Sequence, residues 1–155
     1  MLETHIDYLN AKKWDFEIIV VDDGSKDKTS EIALRIGALK KADLIALRSI
    51  VNCGKGAAVK SGMLVASGEY LLFADADGAS DINCLDSLYR ELKKPGYERG
   101  LVVGSRNHLV EGVVSERKWY RNILMHGLHF VVKVICGIPI NDTQCGFKMF
   151  QREAA

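Results

Sequence analysis

Short apolar runs alternate with amphipathic stretches along this chain, and the pattern predicts alternating strands and helices. Helices are predicted over residues 2–13, 28–40, 55–66 and 81–94, and strands over residues 16–21, 44–47, 69–74 and 101–105. The strands are continuous apolar runs, which are typical of strands covered on both faces of a parallel sheet. The pattern therefore predicts a single α/β domain over residues 1–155, with a mainly parallel sheet and right-handed crossover helices.

The segment that follows the last of these strands has a different pattern. Residues 107–116 are predicted to form a loop, and residues 117–136 a long amphipathic helix in which Trp119, Ile123 and Phe130 recur at helical spacing. Such a helix either packs against the core or lies at a lipid surface with its aromatic and basic residues at the headgroups. Both interpretations stay open at this point.

Two carboxylates stand where the strand over residues 69–74 ends. Asp75 and Asp77 alternate, so in an extended chain they point to the same face. Carboxylates that converge repel each other unless a cation lies between them, and Mg²⁺ or Mn²⁺ accepts such oxygen ligands together with substrate phosphates. An Asp-rich turn is the simpler alternative, because Asp and Gly are common turn residues.

A second pair of acids follows the strand over residues 16–21. Asp22 and Asp23 precede Gly24 and Ser25. In open α/β sheets, ligands bind outside the carboxyl ends of the strands. Two strands that both end in acids therefore predict one shared cleft. A turn followed by a helix N-cap explains Ser25 but does not explain both acids.

A glycine-rich segment, Asn52-Cys53-Gly54-Lys55-Gly56, leads into the helix of small residues. Backbone N–H groups at such a helix start favour anions, and Lys55 adds positive charge. The spacing is not that of a P-loop. A simple turn is the alternative for this segment.

Near the end of the chain, an acid, a glycine and a lysine follow one another within seven positions. Asp142 could serve as a general base, and Lys148 could neutralise a phosphate. The alternative is a surface turn that enters a short strand.

Composition narrows the function classes. The apolar content of 48% and the charged content of 26% are those of a folded domain. The net charge of +1 provides no strong field for nucleic acid, so a nucleic-acid partner is not expected. The four cysteines are widely spaced, which predicts reduced thiols. No apolar run is long enough to span a membrane.

Together these motifs resemble those of a known family. The segments VVDDGSKDKTSEIA, NCGKGAAVKSGM, YLLFADADGAS, VVGSRNHL and DTQCGFKMF are similar to the inverting glycosyltransferases of the GT-A fold. Within that family they most resemble the branch that glucosylates dolichyl phosphate. The resemblance implies a Rossmann-like GT-A domain, UDP-glucose as donor and dolichyl phosphate as acceptor. It also implies a place in protein N-glycosylation at the cytosolic face of the endoplasmic reticulum membrane.

The resemblance also implies roles for individual residues. Asp75 and Asp77 would hold Mg²⁺ or Mn²⁺, and Asp142 would orient groups at the reaction centre. The nucleotide-sugar would contact the residues that follow the first strand and those at the D-x-D, namely Asp22, Asp23, Gly24, Lys55 and Asp75. The acceptor phosphate or the diphosphate would contact basic side chains, namely Arg106, Arg121 and Lys148.

The chain departs from the family at its start. Family members begin with a strand and a membrane helix that precede the first helix found here. We therefore expect a domain that is incomplete at the N-terminus, with a gap in the sheet between residues 16–21 and 69–74. The rival interpretations are a mannosyl transferase that uses GDP-mannose and a truncated form without activity.

Overall fold

The structure is a computed structural model, and it describes residues 1–95, 99–104 and 145–155. The loop expected over residues 107–116 and the amphipathic helix expected over residues 117–136 lie outside the described residues. The described elements follow in chain order as α1 (Leu2–Lys12), β1 (Glu17–Asp22), α2 (Thr29–Lys40), β2 (Asp43–Arg48), α3 (Lys55–Val65), β3 (Tyr70–Ala74), α4 (Leu85–Leu92), β4 (Leu101–Val103) and β5 (Phe147–Gln151).

The first half of the chain forms a parallel pair of strands. β1 and β2 run side by side, with Glu17 opposite Asp43 at one end and Asp22 opposite Arg48 at the other. Each strand is preceded by a helix whose last turn closes on a left-handed lysine, at φ 54° for Lys13 after α1 and φ 52° for Lys41 after α2. These closing turns, which glycine usually supplies, bring the chain back to the sheet.

The second half forms a three-stranded sheet in the order β3-β5-β4. β5 lies in the middle and is antiparallel to both neighbours, so β3 and β4 run in the same direction. The α/β architecture is therefore confirmed, and the antiparallel strand β5 is an addition that the alternating pattern did not reveal. The carboxyl end of β3 and the amino end of β5 meet at one edge of this sheet.

Within the described ranges, no backbone ladder joins the two sheets. β1 pairs only with β2, and β3 pairs only with β5, so the other edge of each strand has no ladder partner there. A missing strand between β1 and β3 stays a prediction. Unpaired strand edges are costly when they are buried, so the two sheets depend on other contacts for their relative placement.

One group of such contacts is polar and lies at the end of α3. Oε1 of Glu17, the first residue of β1, accepts hydrogen bonds from the backbone N–H of Ser67 (2.6 Å) and of Gly68 (3.0 Å). The pKa of Glu17 is lowered, chiefly by the hydrogen bond from the Ser67 hydroxyl. From the second sheet, Arg152 donates to the carbonyls of Ala66 and Gly68 at 2.9 Å each. The segment between α3 and β3 is thus bound to both sheets.

The main apolar core lies on the second sheet, not on the first. Its members come from α4, from the 3₁₀ turn before it, from β5 and from the segment just before β5, namely Ile82, Leu85, Leu88, Leu92, Cys145, Phe147 and Met149. Tyr8 and Leu9 of α1 pack against this cluster. By contrast, the apolar side chains of β1 are only half-buried, although parallel strands are usually covered on both faces.

Helix α2 packs against β2 through small residues. The large apolar side chains of Ile32 and Leu39 are exposed, whereas Ala33 and Gly37 are buried. A Cβ at Gly37 would lie 2.8 Å from the Cβ of Leu44. The close approach of helix and strand therefore requires the small residues to face inward. Among the described helices, none is both long and apolar enough to cross a bilayer.

The position of the core leads to a stability prediction. Leu92 is 0% exposed, whereas Leu39 on α2 is 75% exposed. We expect Leu92→Ala to lower the free energy of unfolding by about 2–5 kcal/mol and the matched control Leu39→Ala to change it by about 0.5 kcal/mol or less. Urea denaturation followed by circular dichroism measures both. Equal losses in the two variants would show that α4 is not the centre of the core.

Candidate functional site

A row of polar residues lies where strand ends and a helix start meet. We call it the strand-end strip and define it by Asp23, Gly54, Lys55, Asp75 and Gly146. Asp23 follows β1, Gly54 and Lys55 begin α3, Asp75 follows β3, and Gly146 precedes β5. Each member contacts the next, and these contacts join four segments that are far apart in the sequence.

Asp22, the acid before the strip, is buried and serves the local structure. Oδ1 accepts from the backbone N–H of Ser25 at 2.8 Å, and Oδ2 accepts from the hydroxyl of Ser30 at 2.5 Å. Hydrogen bonds from Ser30 and Ser25 lower the pKa of Asp22 to about 2. Arg48 adds a weaker favourable charge at 3.9 Å. The Asp22 side chain thus fixes the turn after β1 to the first turn of α2.

Asp23 is partly exposed and joins this turn to the start of α3. Its Oδ1 accepts from the N–H of Cys53 at 2.9 Å, and its Oδ2 accepts from the N–H of Gly54 at 2.7 Å. Backbone N–H groups at a helix start favour a negative charge. The carboxylate therefore caps the loop that enters α3, and the two sequence motifs form one structural unit.

Gly24 is required by the close approach of the same two loops. Its φ is +82°, and a Cβ there would lie 2.9 Å from the backbone N of Asn52. A side chain would meet both a strained backbone conformation and a clash with main chain. Beside Gly24, a pocket of about 280 Å³ opens at the carboxyl ends of β1 and β2, and its other lining residues are Ser25, Arg48, Ser49 and Ile50.

Lys55 and Asp75 connect α3 with the end of β3. The Lys55 Nζ lies 2.8 Å from each oxygen of the Asp75 carboxylate. The lysine side chain is 64% exposed and the Asp75 side chain 28% exposed. The same Nζ lies 5.4 Å from the centroid of the Phe73 ring. A positive charge is therefore held against the first acid of the D-x-D.

The backbone of Gly146 lies in direct contact with Asp75. The Asp75 N–H donates to the Gly146 carbonyl at 2.9 Å. A Cβ at Gly146 would lie 2.0 Å from Oδ2 of Asp75, so only glycine leaves room for the carboxylate. Sequence reasoning noted this glycine in its motif but did not assign it to the site. The sequence signal that could have indicated this role is the glycine that directly precedes the apolar run of β5.

Asp77 lies in the turn that follows β3. Its Oδ1 accepts from the N–H of Ala79 at 2.9 Å, and Gly78 has φ +74°. Because β3 ends at Ala74, the alternation that we expected to align Asp75 with Asp77 does not extend to this turn. A metal shared by the two acids stays a prediction.

The donor set nevertheless suits a hard divalent cation. Asp75 offers a carboxylate that already binds the Lys55 ammonium, and Asp77 uses its Oδ1 in the turn after β3. In the ranges 1–95, 99–104 and 145–155, no three His, Cys, Asp or Glu side chains form a metal-binding group. Mg²⁺ is often held by one or two carboxylates, with substrate phosphates and water completing the shell. The residues present fit that pattern.

The remaining predicted site residues are placed only in part. Lys148 lies in β5, opposite Phe73 of β3 and Val103 of β4, and its side chain is half-buried. Arg106, Arg121 and Asp142 lie outside the described residues. The structure thus brings Asp23, Lys55 and Asp75 into one strip, with Asp22 behind it and Gly24 beside it.

Comparison with known proteins identifies the family to which the sequence is similar. The sequence profile described as "Glycosyl transferase family 2" matches residues 2–155. Proteins named dolichyl-phosphate beta-glucosyltransferase from Dictyostelium discoideum, Drosophila melanogaster and Homo sapiens are 42%, 42% and 38% identical to the chain. Each match includes 100% of this chain and 50%, 50% and 51% of the respective relative. The chain spans about half the length of these relatives.

The environment of Asp22 leads to a pH prediction. A carboxylate whose folded pKa is about 2 and whose unfolded pKa is about 3.9 stabilises the fold above pH ~4, and this contribution is lost as the pH falls toward 2. We expect Asp22→Asn to lower stability at pH 7 and to weaken the loss of stability between about pH 4 and pH 2. Urea denaturation at several pH values is the measurement.

Serine variants provide the controls for this prediction. Ser30→Ala removes the hydroxyl that donates to Asp22 and should also weaken the pH dependence. Ser61→Ala, at an exposed position on α3, should retain the pH dependence of the unaltered chain. An unchanged pH dependence in Asp22→Asn would contradict the assignment of the acid transition to this group.

Proposed function

Because the chain belongs to glycosyl transferase family 2, we propose that it takes part in the transfer of glucose from UDP-glucose to dolichyl phosphate. The observation that supports the proposal most is the Asp75 carboxylate, which lies at a strand end, above Gly146 and beside Lys55. At the carboxyl ends of the strands in an α/β domain, a carboxylate can bind the metal ion and an ammonium group can bind the phosphate oxygens of a metal-bound diphosphate. The names of the relatives supply the sugar and the acceptor.

In this proposal, Asp23 contacts the uracil. Both of its oxygens already accept a backbone N–H. A carboxylate oxygen has a second lone pair, so Asp23 can accept a base N–H while the loop stays capped. Asp22 is fully covered at its side chain, and its part is to hold Asp23 and Gly24 in place.

Asp75 and Asp77 are the residues that would hold Mg²⁺ or Mn²⁺. When bound, such an ion would supply charge neutralisation for the diphosphate and for the departing UDP. Gly146 leaves space for the Asp75 carboxylate at this position. The remaining oxygen ligands would come from the diphosphate and from water.

The acceptor side of the proposal depends on basic residues. Arg106 and Arg121 are candidates for the lipid phosphate, because a guanidinium group matches phosphate oxygens in a bidentate way. Lys148 in the central strand β5 is a further candidate. A phosphate monoester is ionised near neutral pH, so Asp142 would orient the acceptor more than remove a proton. The sugar would then move in one in-line displacement with inversion.

The proposal extends to the cellular setting. A dolichyl chain resides in a membrane, so the strip would work at a membrane surface. We place this reaction at the cytosolic face of the endoplasmic reticulum, in protein N-glycosylation. The names of the relatives, which include the enzyme of Saccharomyces cerevisiae, support this setting.

A transfer assay tests the proposal. Radiolabelled UDP-glucose and GDP-mannose are each offered with dolichyl phosphate, Mn²⁺ and the chain, and labelled lipid is extracted. We expect transfer from UDP-glucose, and we expect Asp77→Asn to reduce it by at least about 100-fold. Asp43→Asn, an exposed carboxylate at the opposite end of β2, is the control and should remain active.

The alternatives give different results in the same assay. Preferential transfer from GDP-mannose would assign the protein to the mannosyl branch of the family. Absence of transfer from either donor would contradict an active enzyme. Full activity of Asp77→Asn would contradict the assignment of this acid.

A further inference from the structure

The contact between Lys55 and Asp75 has a consequence for the order in which ligands bind. The ammonium group lies 2.8 Å from both oxygens of the carboxylate. A divalent ion on Asp75 needs at least one of those oxygens. The ammonium and the metal ion would then share one carboxylate, and their positive charges would repel each other. Lys55 and a metal ion therefore compete for Asp75, and metal binding favours movement of the lysine.

The surroundings of Lys55 allow that movement. Its side chain is 64% exposed, and lysine has a flexible four-carbon stem. The residues on either side are Gly54 and Gly56, and a Cβ at either position would meet no atom within 4 Å. The start of α3 is therefore open to a ligand that approaches the backbone and Lys55 together.

When the Lys55 ammonium leaves Asp75, its ion pair is lost unless another anion replaces the carboxylate. A lysine bound to a carboxylate is stable where it is, and a metal ion alone offers no negative charge to replace Asp75. A nucleoside diphosphate does, because its oxygens can bind the metal and the ammonium at the same time. Binding of the diphosphate thus compensates for the lost ion pair.

We propose that Lys55 blocks Asp75 until a nucleoside diphosphate arrives, so that metal and nucleotide bind cooperatively and the metal alone binds weakly. This inference rests on the proposed function, since it takes the strip as the site of a metal-bound diphosphate. Lys55 is then a positioning residue that exchanges one anion for another. The expected consequence is a large thermodynamic coupling between Mn²⁺ and UDP.

The experiment measures binding and does not depend on catalysis. The affinity for Mn²⁺ is measured by electron paramagnetic resonance with and without UDP, and the affinity for UDP by calorimetry with and without Mn²⁺. In Lys55→Met, we expect Mn²⁺ alone to bind about twofold to fivefold more tightly, the change that a surface ion pair supports. We expect UDP in the presence of Mn²⁺ to bind about tenfold or more weakly, since a charge-assisted hydrogen bond is lost.

Two variants serve as controls. Lys60→Met alters an exposed lysine on the same helix and should leave both affinities unchanged. Lys55→Arg keeps the positive charge and should keep most of the coupling. Thermal melts of all variants establish that they remain folded, because Lys55 is exposed and its replacement should not disturb the core.

The outcomes separate this inference from the proposed function. Opposite changes of the two affinities in Lys55→Met support the exchange. Unchanged coupling in Lys55→Met, with normal binding of Mn²⁺ and UDP by the unaltered chain, overturns the exchange and leaves the proposed function standing. No binding of UDP with Mn²⁺ by the unaltered chain overturns both.

Discussion

The attachment of α3 to β1 at both ends is the constraint on which the candidate site depends. Asp23 accepts the backbone N–H groups that precede the helix, and Glu17 accepts those that follow it. β1 and β3 share no ladder within the described residues, and these two carboxylates anchor both ends of α3 to β1 and place the chain at its entry into β3. Glu17 and Asp23 lie at opposite ends of β1, so they hold the helix along the whole length of the strand.

The same arrangement explains why the site is polar while the core lies elsewhere. The large apolar residues pack between α4 and β5, and the first sheet meets its helices through small residues such as Gly37 and Gly62. The region between the two sheets therefore lies outside the apolar core and can hold charged groups. There, Lys55 and Asp75 connect the two halves of the domain by a contact that a charged ligand can replace.

The sequence predicted the helices α1 to α4, the strands β1 to β4 and the edge at which Asp23, Lys55 and Asp75 meet, because apolar runs mark strands and parallel strands place their carboxyl ends together. It did not distinguish Asp22 from Asp23. Asp22 differs because, in the folded chain, the Ser30 hydroxyl on α2 donates to its carboxylate. Gly146 was missed because its role depends on β5 lying beside β3, a neighbour that chain order does not reveal. The hydrophobic pattern also did not predict which face of α2 packs against the sheet, because the helix approaches β2 so closely that small residues face inward.

Paramagnetic broadening by Mn²⁺ in the nuclear magnetic resonance spectrum tests the central claim most directly. With UDP present and Mn²⁺ added in small amounts, amide signals near the ion disappear first. We expect the signals of Gly54, Lys55, Asp75 and Gly146 to disappear before those of α1 and α4. Broadening that centres on other acidic residues, or that spreads evenly over the surface, would contradict a nucleotide and metal site at the strand-end strip.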